Sequence, residues 1–124
     1  MATGRQKLGA RGEEIAAWYL ESQGYEIIAR NVRVPQVGEI DIVAREGETL
    51  AIVEVRTRLG DRLGSPEESV GASKQRKLLL LGQVYVQETG WEGPWRVDFV
   101  AVRMHDAEHP ADVRLYRDAV RYEF

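Results

Sequence analysis

The chain has 124 residues, 44 % hydrophobic and 30 % charged, with 17 Lys and Arg against 20 Asp and Glu for a formal charge of −3. That is the size and composition of one globular domain with a single core, and its charge excludes a polycation that coats nucleic acid indiscriminately. The longest uninterrupted leucine run, Leu78 to Leu81, falls far short of the roughly 20 apolar residues of a membrane span, so no membrane partner is expected. With no cysteine and no apolar signal core in Met-Ala-Thr-Gly-Arg-Gln-Lys, the expectation is a cytoplasmic protein.

From about Arg5 to Gln23, Leu8, Ile15, Ala16, Tyr19 and Leu20 recur at helical spacing, and Gly24 supplies the stop. Glu13 and Glu14 lie in this helix, where acids by default solvate a face. Residues 25 to 34 read as a strand ended by Pro35, which cannot donate to a ladder.

Residues 38 to 58 form a hairpin signature: two apolar, β-branched runs around a polar, Gly-containing turn. These core strands carry Glu39, Asp41, Glu54 and Arg56. Alternation puts Glu39, Asp41 and Val43 on one face of the first strand, and Ile52, Glu54 and Arg56 on one face of the second. A four-residue turn from Glu46 to Thr49 pairs Arg45 with Leu50, Val43 with Ile52 and Asp41 with Glu54; a two-residue turn at Glu46-Gly47 instead opposes Glu39 and Glu54. Either register brings two carboxylates to roughly 5 Å at Cβ, which repel unless a cation sits between them or one is protonated. The first register is the one expected here.

Leu59 to Gly64 reads as a loop, and Ser65-Pro66-Glu67-Glu68 as a capped helix start. A break near Gly71 lets Ser73 cap a second helix that runs to about Thr89 and stops at Gly90. Lys74, Arg76 and Lys77 in its first turns oppose the helix dipole, which suggests an anionic ligand nearby. Arg58, Arg62, Lys74 and Lys77 are the candidate nucleic-acid contacts, and Arg5, Lys7 and Arg11 form a second basic patch. A strand over Trp95 to Met104 and a last one over Val113 to Val120 follow. His105 and His109 sit four apart beside carboxylates, a spacing open to a transition metal, although a Pro-containing polar segment between strands is ordinary loop chemistry. Asp98, a lone charge in an apolar strand, is open to supporting a neighbouring cation or a strand edge, and the sequence does not assign it either role.

Gly12-Glu13-x-x-Ala16, Gly38-Glu39-Ile40-Asp41, Val53-Glu54-Val55-Arg56-Thr57-Arg58 and Arg96-Val97-Asp98-Phe99-Val100 stand in the order in which similar strings occur in the YraN family of bacterial proteins, which the chain resembles up to about Met104. That family is similar in turn to the restriction-endonuclease-like fold, whose site is an Asp followed by Glu-x-Lys, and to archaeal Holliday-junction resolvases. The resemblance implies an α/β fold, a mixed β-sheet of about five strands flanked by helices in the order αβββαββ, within one nuclease-like domain over residues 1–124. It implies Mg²⁺ or Mn²⁺ on Asp41 and Glu54, with Glu13 as a further acid, and hydrolysis of phosphodiester bonds in DNA, branched or structured DNA included. It also raises the expectation of a homodimer, since a symmetric junction presents two equivalent scission points.

Arg56 stands where the pattern has Lys. A guanidinium stays protonated and can hold a phosphate oxygen but not act as a base. Two classes therefore stay open: a metal-dependent endonuclease using Glu13, Asp41, Glu54 and Arg56, and a non-catalytic nucleic-acid-binding or partner-binding module on a nuclease scaffold. A third explanation makes the acids salt-bridge partners of Arg30, Arg33, Arg56 or Arg58, against which stands the small net gain of buried ion pairs.

Overall fold

The computed structural model describes residues 3–60 and 70–120. The chain opens with α1 (Gly4–Ser22), passes through β1 (Glu26–Val34), β2 (Gly38–Glu46) and β3 (Thr49–Leu59), then α2 (Ala72–Thr89), and ends in β4 (Trp95–Met104) and β5 (Pro110–Val120). The sheet order is β1-β2-β3-β4-β5. All neighbours are antiparallel except β3 and β4, which run parallel because α2 carries the chain back across the sheet. This is the mixed five-stranded sheet and the αβββαββ order expected, with β1 to β3 as an antiparallel meander.

Two apolar layers sandwich the sheet. Ile15, Ala16 and Leu20 of α1 pack on Ile42, Ala44, Val53, Val100 and Val102. On the opposite face, Leu78, Leu79 and Leu81 of α2 pack on Val43, Leu50, Ile52 and Val97. The central strands are apolar on both sides because both sides are covered. Each fully buried Leu, Ile or Val contributes about 1.5–3 kcal/mol relative to exposure.

Local chemistry sets the ends. Thr3 and Gln6 form a capping box at the start of α1, and Tyr25 N–H donates to the Leu20 carbonyl (3.0 Å) as the chain leaves the helix near Gly24. Between β2 and β3, Gly47 takes the positive φ (61°) of the tight turn, and the ladder runs Glu46↔Thr49, Arg45↔Leu50, Val43↔Ile52. The expected register is the one formed.

Two boundaries differ from expectation. The α2 helix is capped at Gly71, without a side-chain cap, because Gln75 N–H already bonds the Gly71 carbonyl (3.0 Å) and leaves Ser73 inside the first turn. The last strand begins at Pro110, not Val113; β5 is an edge strand, and proline is tolerated at the first residue of an edge. The helix start expected at Ser65 to Glu68 lies outside the described residues, as does Arg62. Among the described residues no helix is long and apolar enough to cross a membrane.

Candidate functional site

The β2–β3 ladder ends at Ile42↔Val53, although both strands continue. Asp41 sits at the fork. Its Oδ2 accepts the N–H of Val55 (2.8 Å), so a side chain takes over a donor that the separated strand no longer satisfies. By alternation with Val43 and Ile52, Asp41 and Glu54 project from the face that α2 covers.

Glu54 is only 4 % exposed. Lys74 Nζ reaches it from α2, 2.9 Å from Oε2, and Arg56 Nη2 lies 3.3 Å from the same oxygen. Neither approaches along a hydrogen-bonding direction, so Oε2 is a buried acceptor without a hydrogen bond, and Arg56 Nε is a buried donor in the same condition. Asp41 and Glu54 interact directly. Burial first, then the hydrogen bond and charge of Glu54, push the Asp41 carboxyl up to about 8, against the opposing pull of the Val55 N–H. Asp41 therefore favours its protonated form near neutral pH.

Glu13 enters from α1, on the other side of the sheet, where the gap between β2 and β3 lets it approach. Gly12 makes this possible: it lies so close to β3 that a Cβ would overlap the Thr57 side chain. Burial raises the Glu13 pKa, Arg30 opposes the rise, and Glu39 and Glu54 add to it. Asn31 was not singled out from sequence. It holds a left-handed backbone (φ 53°) inside β1, and with its amide nitrogen turned to the acids it donates to Glu13 Oε1 (2.8 Å) and Glu39 Oε1 (3.3 Å). An asparagine in the middle of a strand, where that residue type is depleted, was the available signal.

The basic residues divide. Lys74 belongs to the acid pair, and the Lys77 side chain lies over Gly38 at the start of β2. Arg56 and Arg58 line a cleft of about 610 Å³ between α1 and β3, together with Arg5, Leu8 and Glu13. Arg5 had counted only as part of a terminal patch.

The buried pair fits a hard divalent cation: an orphaned carboxylate oxygen beside a second carboxylate is the donor set such an ion takes, and Mg²⁺ is satisfied by one or two carboxylates plus waters. Among the described residues no three acidic or histidine side chains converge closely enough to hold a metal between them. The loop at His105 to His109 is organised differently. Asp106 Oδ1 accepts the N–H groups of Glu108 (2.9 Å) and His109 (3.0 Å), and His109 Nδ1 lies 2.8 Å from it. The Glu108 N–H first, then the His109 side chain, hold the Asp106 carboxyl down at about 2.

A second charged cluster lies about β4. Asp98 is fully buried, and its carboxylate accepts from Tyr25 Oη (2.7 Å), Arg96 Nε (2.8 Å) and the N–H of Asp118 (2.8 Å). Arg96 Nη2 continues to Glu46 Oε1 (2.6 Å), which Arg117 clamps through two bonds of 2.9 and 2.7 Å. Burial works against the Arg96 charge, but Asp98, Glu46 and Tyr25 outweigh it and hold its pKa above the ordinary value.

Among the described residues, a five-stranded mixed sheet flanked by two helices, with paired acids at a strand fork, defines the structural class. The model of the uncharacterised protein family UPF0102 matches residues 12–102. UPF0102 proteins of Syntrophotalea carbinolica (49 % identity, covering 84 % of this chain and 85 % of the relative) and of Thermodesulfovibrio yellowstonii (43 %, covering 85 % and 93 %) are similar over nearly the same span. The chain belongs to this family, the YraN proteins.

Proposed function

We propose that the chain is a metal-dependent nuclease that hydrolyses phosphodiester bonds in DNA, with Asp41 and Glu54 as the cation-binding acids. The observation that carries this reading is the fork itself: two interacting carboxylates, one with a buried oxygen lacking any hydrogen bond, at the point where β2 and β3 part. Such a pair is unfavourable alone and relieved by a divalent cation. A Mg²⁺ or Mn²⁺ bound there supplies Lewis-acid stabilisation of phosphate oxygens and an activated water.

The protein's own groups do the rest. Arg56, beside Glu54 and facing the cleft, is placed to hold a phosphate oxygen through its guanidinium. The ammonium that a Glu-x-Lys pattern brings from β3 arrives from α2 instead, on Lys74, 2.9 Å from Glu54. An ammonium can lose its proton where a guanidinium cannot, so Lys74 removes part of the objection raised by Arg56. Glu13, held by Asn31, closes the α1 side of the gap.

One observation favours a non-catalytic nucleic-acid module: Lys74 and Arg56 already compensate Glu54 and can stand in for a metal. Titration calorimetry with Mg²⁺ and Mn²⁺ on wild type and Asp41→Asn decides the first point. Binding by wild type and its loss in the variant is expected; no wild-type binding with DNA present sinks the metal site. Cleavage of linear, flapped and four-way DNA, repeated with Arg56→Lys and Lys74→Met, decides the second. Activity lost in Lys74→Met supports the nuclease, and activity appearing only in Arg56→Lys supports the scaffold.

A further inference from the structure

The geometry points to the α1–β3 cleft as a binding groove for one single-stranded nucleic-acid segment, with Arg5 and Arg58 on its phosphates; this rests on the nucleic-acid reading above and names its substrate form. The cleft lies between the first half of α1 and the outer end of β3, and Glu13 and Arg56 mark its inner end. Three guanidiniums, on Arg5, Arg56 and Arg58, line it against one carboxylate, on Glu13. Among the described residues, Arg56 pairs with Glu54, but neither Arg5 nor Arg58 pairs with any acid; the Arg58 guanidinium reaches only the Thr57 carbonyl (3.1 Å). Among the described residues, a chain with an excess of acid thus leaves these two cations without an acid partner in one recess.

Size and lining select the ligand. About 610 Å³ falls within the roughly 300–1,000 Å³ of pockets that enclose small ligands, room for a few nucleotides of one strand. A duplex presents two backbones, and the cleft offers a single row of cations. Between the arginines lie Leu8, Val55 and Leu59, the last half exposed, which give bases an apolar wall. Among the described residues no aromatic ring lines the cleft, so there bases pack without stacking and the groove follows the backbone with little preference for sequence. A strand lying on Arg5 and Arg58 arrives at Arg56, whose guanidinium pairs with Glu54.

The test is fluorescence anisotropy on the full chain in EDTA, where no cleavage occurs. The probes are a fluorescein-labelled oligo-dT strand and a hairpin duplex with the same number of nucleotides, each titrated at increasing NaCl. Wild type is expected to bind the strand more tightly than the duplex. Arg5→Ala and Arg58→Ala should each weaken strand binding by about fivefold to tenfold and flatten the log–log salt slope by about 0.7, with thermal midpoints unchanged. Arg45→Ala, outside the cleft and paired with Glu26, should bind as wild type does. Wild-type strength in both cleft variants, an equal loss in Arg45→Ala, a preference for duplex, or no wild-type binding at low salt would each overturn the groove. Failure of metal binding or cleavage leaves these measurements untouched and counts only against the nuclease.

Discussion

Asp41 and Asp98 do the same local work with opposite outcomes. Each sits where a ladder is interrupted, Asp41 where β2 leaves β3 and Asp98 where the β4–β5 register shifts between Val97 and Phe99, and each accepts a stray backbone N–H at 2.8 Å. Asp98 then finds a phenol and a guanidinium in good geometry. Asp41 finds another acid, and that acid keeps a buried oxygen without a hydrogen bond. Buried charge that is fully hydrogen-bonded holds a fold together; buried charge whose ion-pair partners miss a hydrogen-bonding geometry gains less from them. The Asp98 cluster is thus a strut joining the end of α1 to β2, β4 and β5, whereas the Asp41–Glu54 pair is held by the Val55 N–H, Lys74 and Arg56 with one carboxylate oxygen still lacking a hydrogen bond.

The contrast can be broken by mutation, most forcefully at Asp98. Asp98→Ala leaves Arg96 and Tyr25 short of an acceptor in the core and should destabilise by about 3–5 kcal/mol in urea unfolding. A loss below about 1 kcal/mol would show that the cluster is no strut. Tyr25→Phe removes one hydrogen bond to Asp98 but keeps the ring under Arg96 and Arg117, for a loss of about 1–2 kcal/mol.

Asp41→Asn should go the other way. Without divalent metal it relieves the paired acids, for a gain of about 1 kcal/mol at neutral pH. The pH dependence follows from the carboxyl's rise from 3.8 to about 8: between those values the folded chain keeps a proton that the unfolded chain has released. Raising the pH therefore draws the equilibrium toward the unfolded state, and the contribution to stability falls through that window. Thermal midpoints in EDTA should show this decline for wild type and a flatter profile for Asp41→Asn; equal profiles would remove the unfavourable pair. Added Mg²⁺, which competes with the proton on Asp41, should raise the wild-type midpoint at pH 8 and leave the variant unmoved. The smallest effect belongs to Arg117→Ala, whose exposed clamp on Glu46 should be worth under about 1 kcal/mol.

Much of the site was legible because strands impose a two-residue period. Once Gly47 and its neighbours marked the turn, Val43↔Ile52 followed, but the ladder ends at Ile42↔Val53, so Asp41 and Glu54 interact through their side chains and not as the opposed ladder pair that counting gives. Lys74 was legible only as a cation at the wrong end of a helix; that its ammonium reaches Glu54 depends on how α2 lies across the sheet. Asn31 drew no reading because its partners lie on other elements, and Arg5 was legible only as part of a terminal patch because β3 completes the cleft it lines. Asp98 had no assigned role, since its partners come from residues 25, 96 and 118.

By itself the sequence determined the αβββαββ order and the hairpin register from Arg45↔Leu50 to Val43↔Ile52, consequences of local periodicity and turn chemistry. Only the tertiary structure decided which buried acid is satisfied and which is not, that α2 supplies the ammonium beside Glu54, and that Arg5 and Arg58 face one cleft. Those outcomes depend on where side chains from distant elements meet, and hydrogen-bond satisfaction, unlike periodicity, is a property of three-dimensional neighbours.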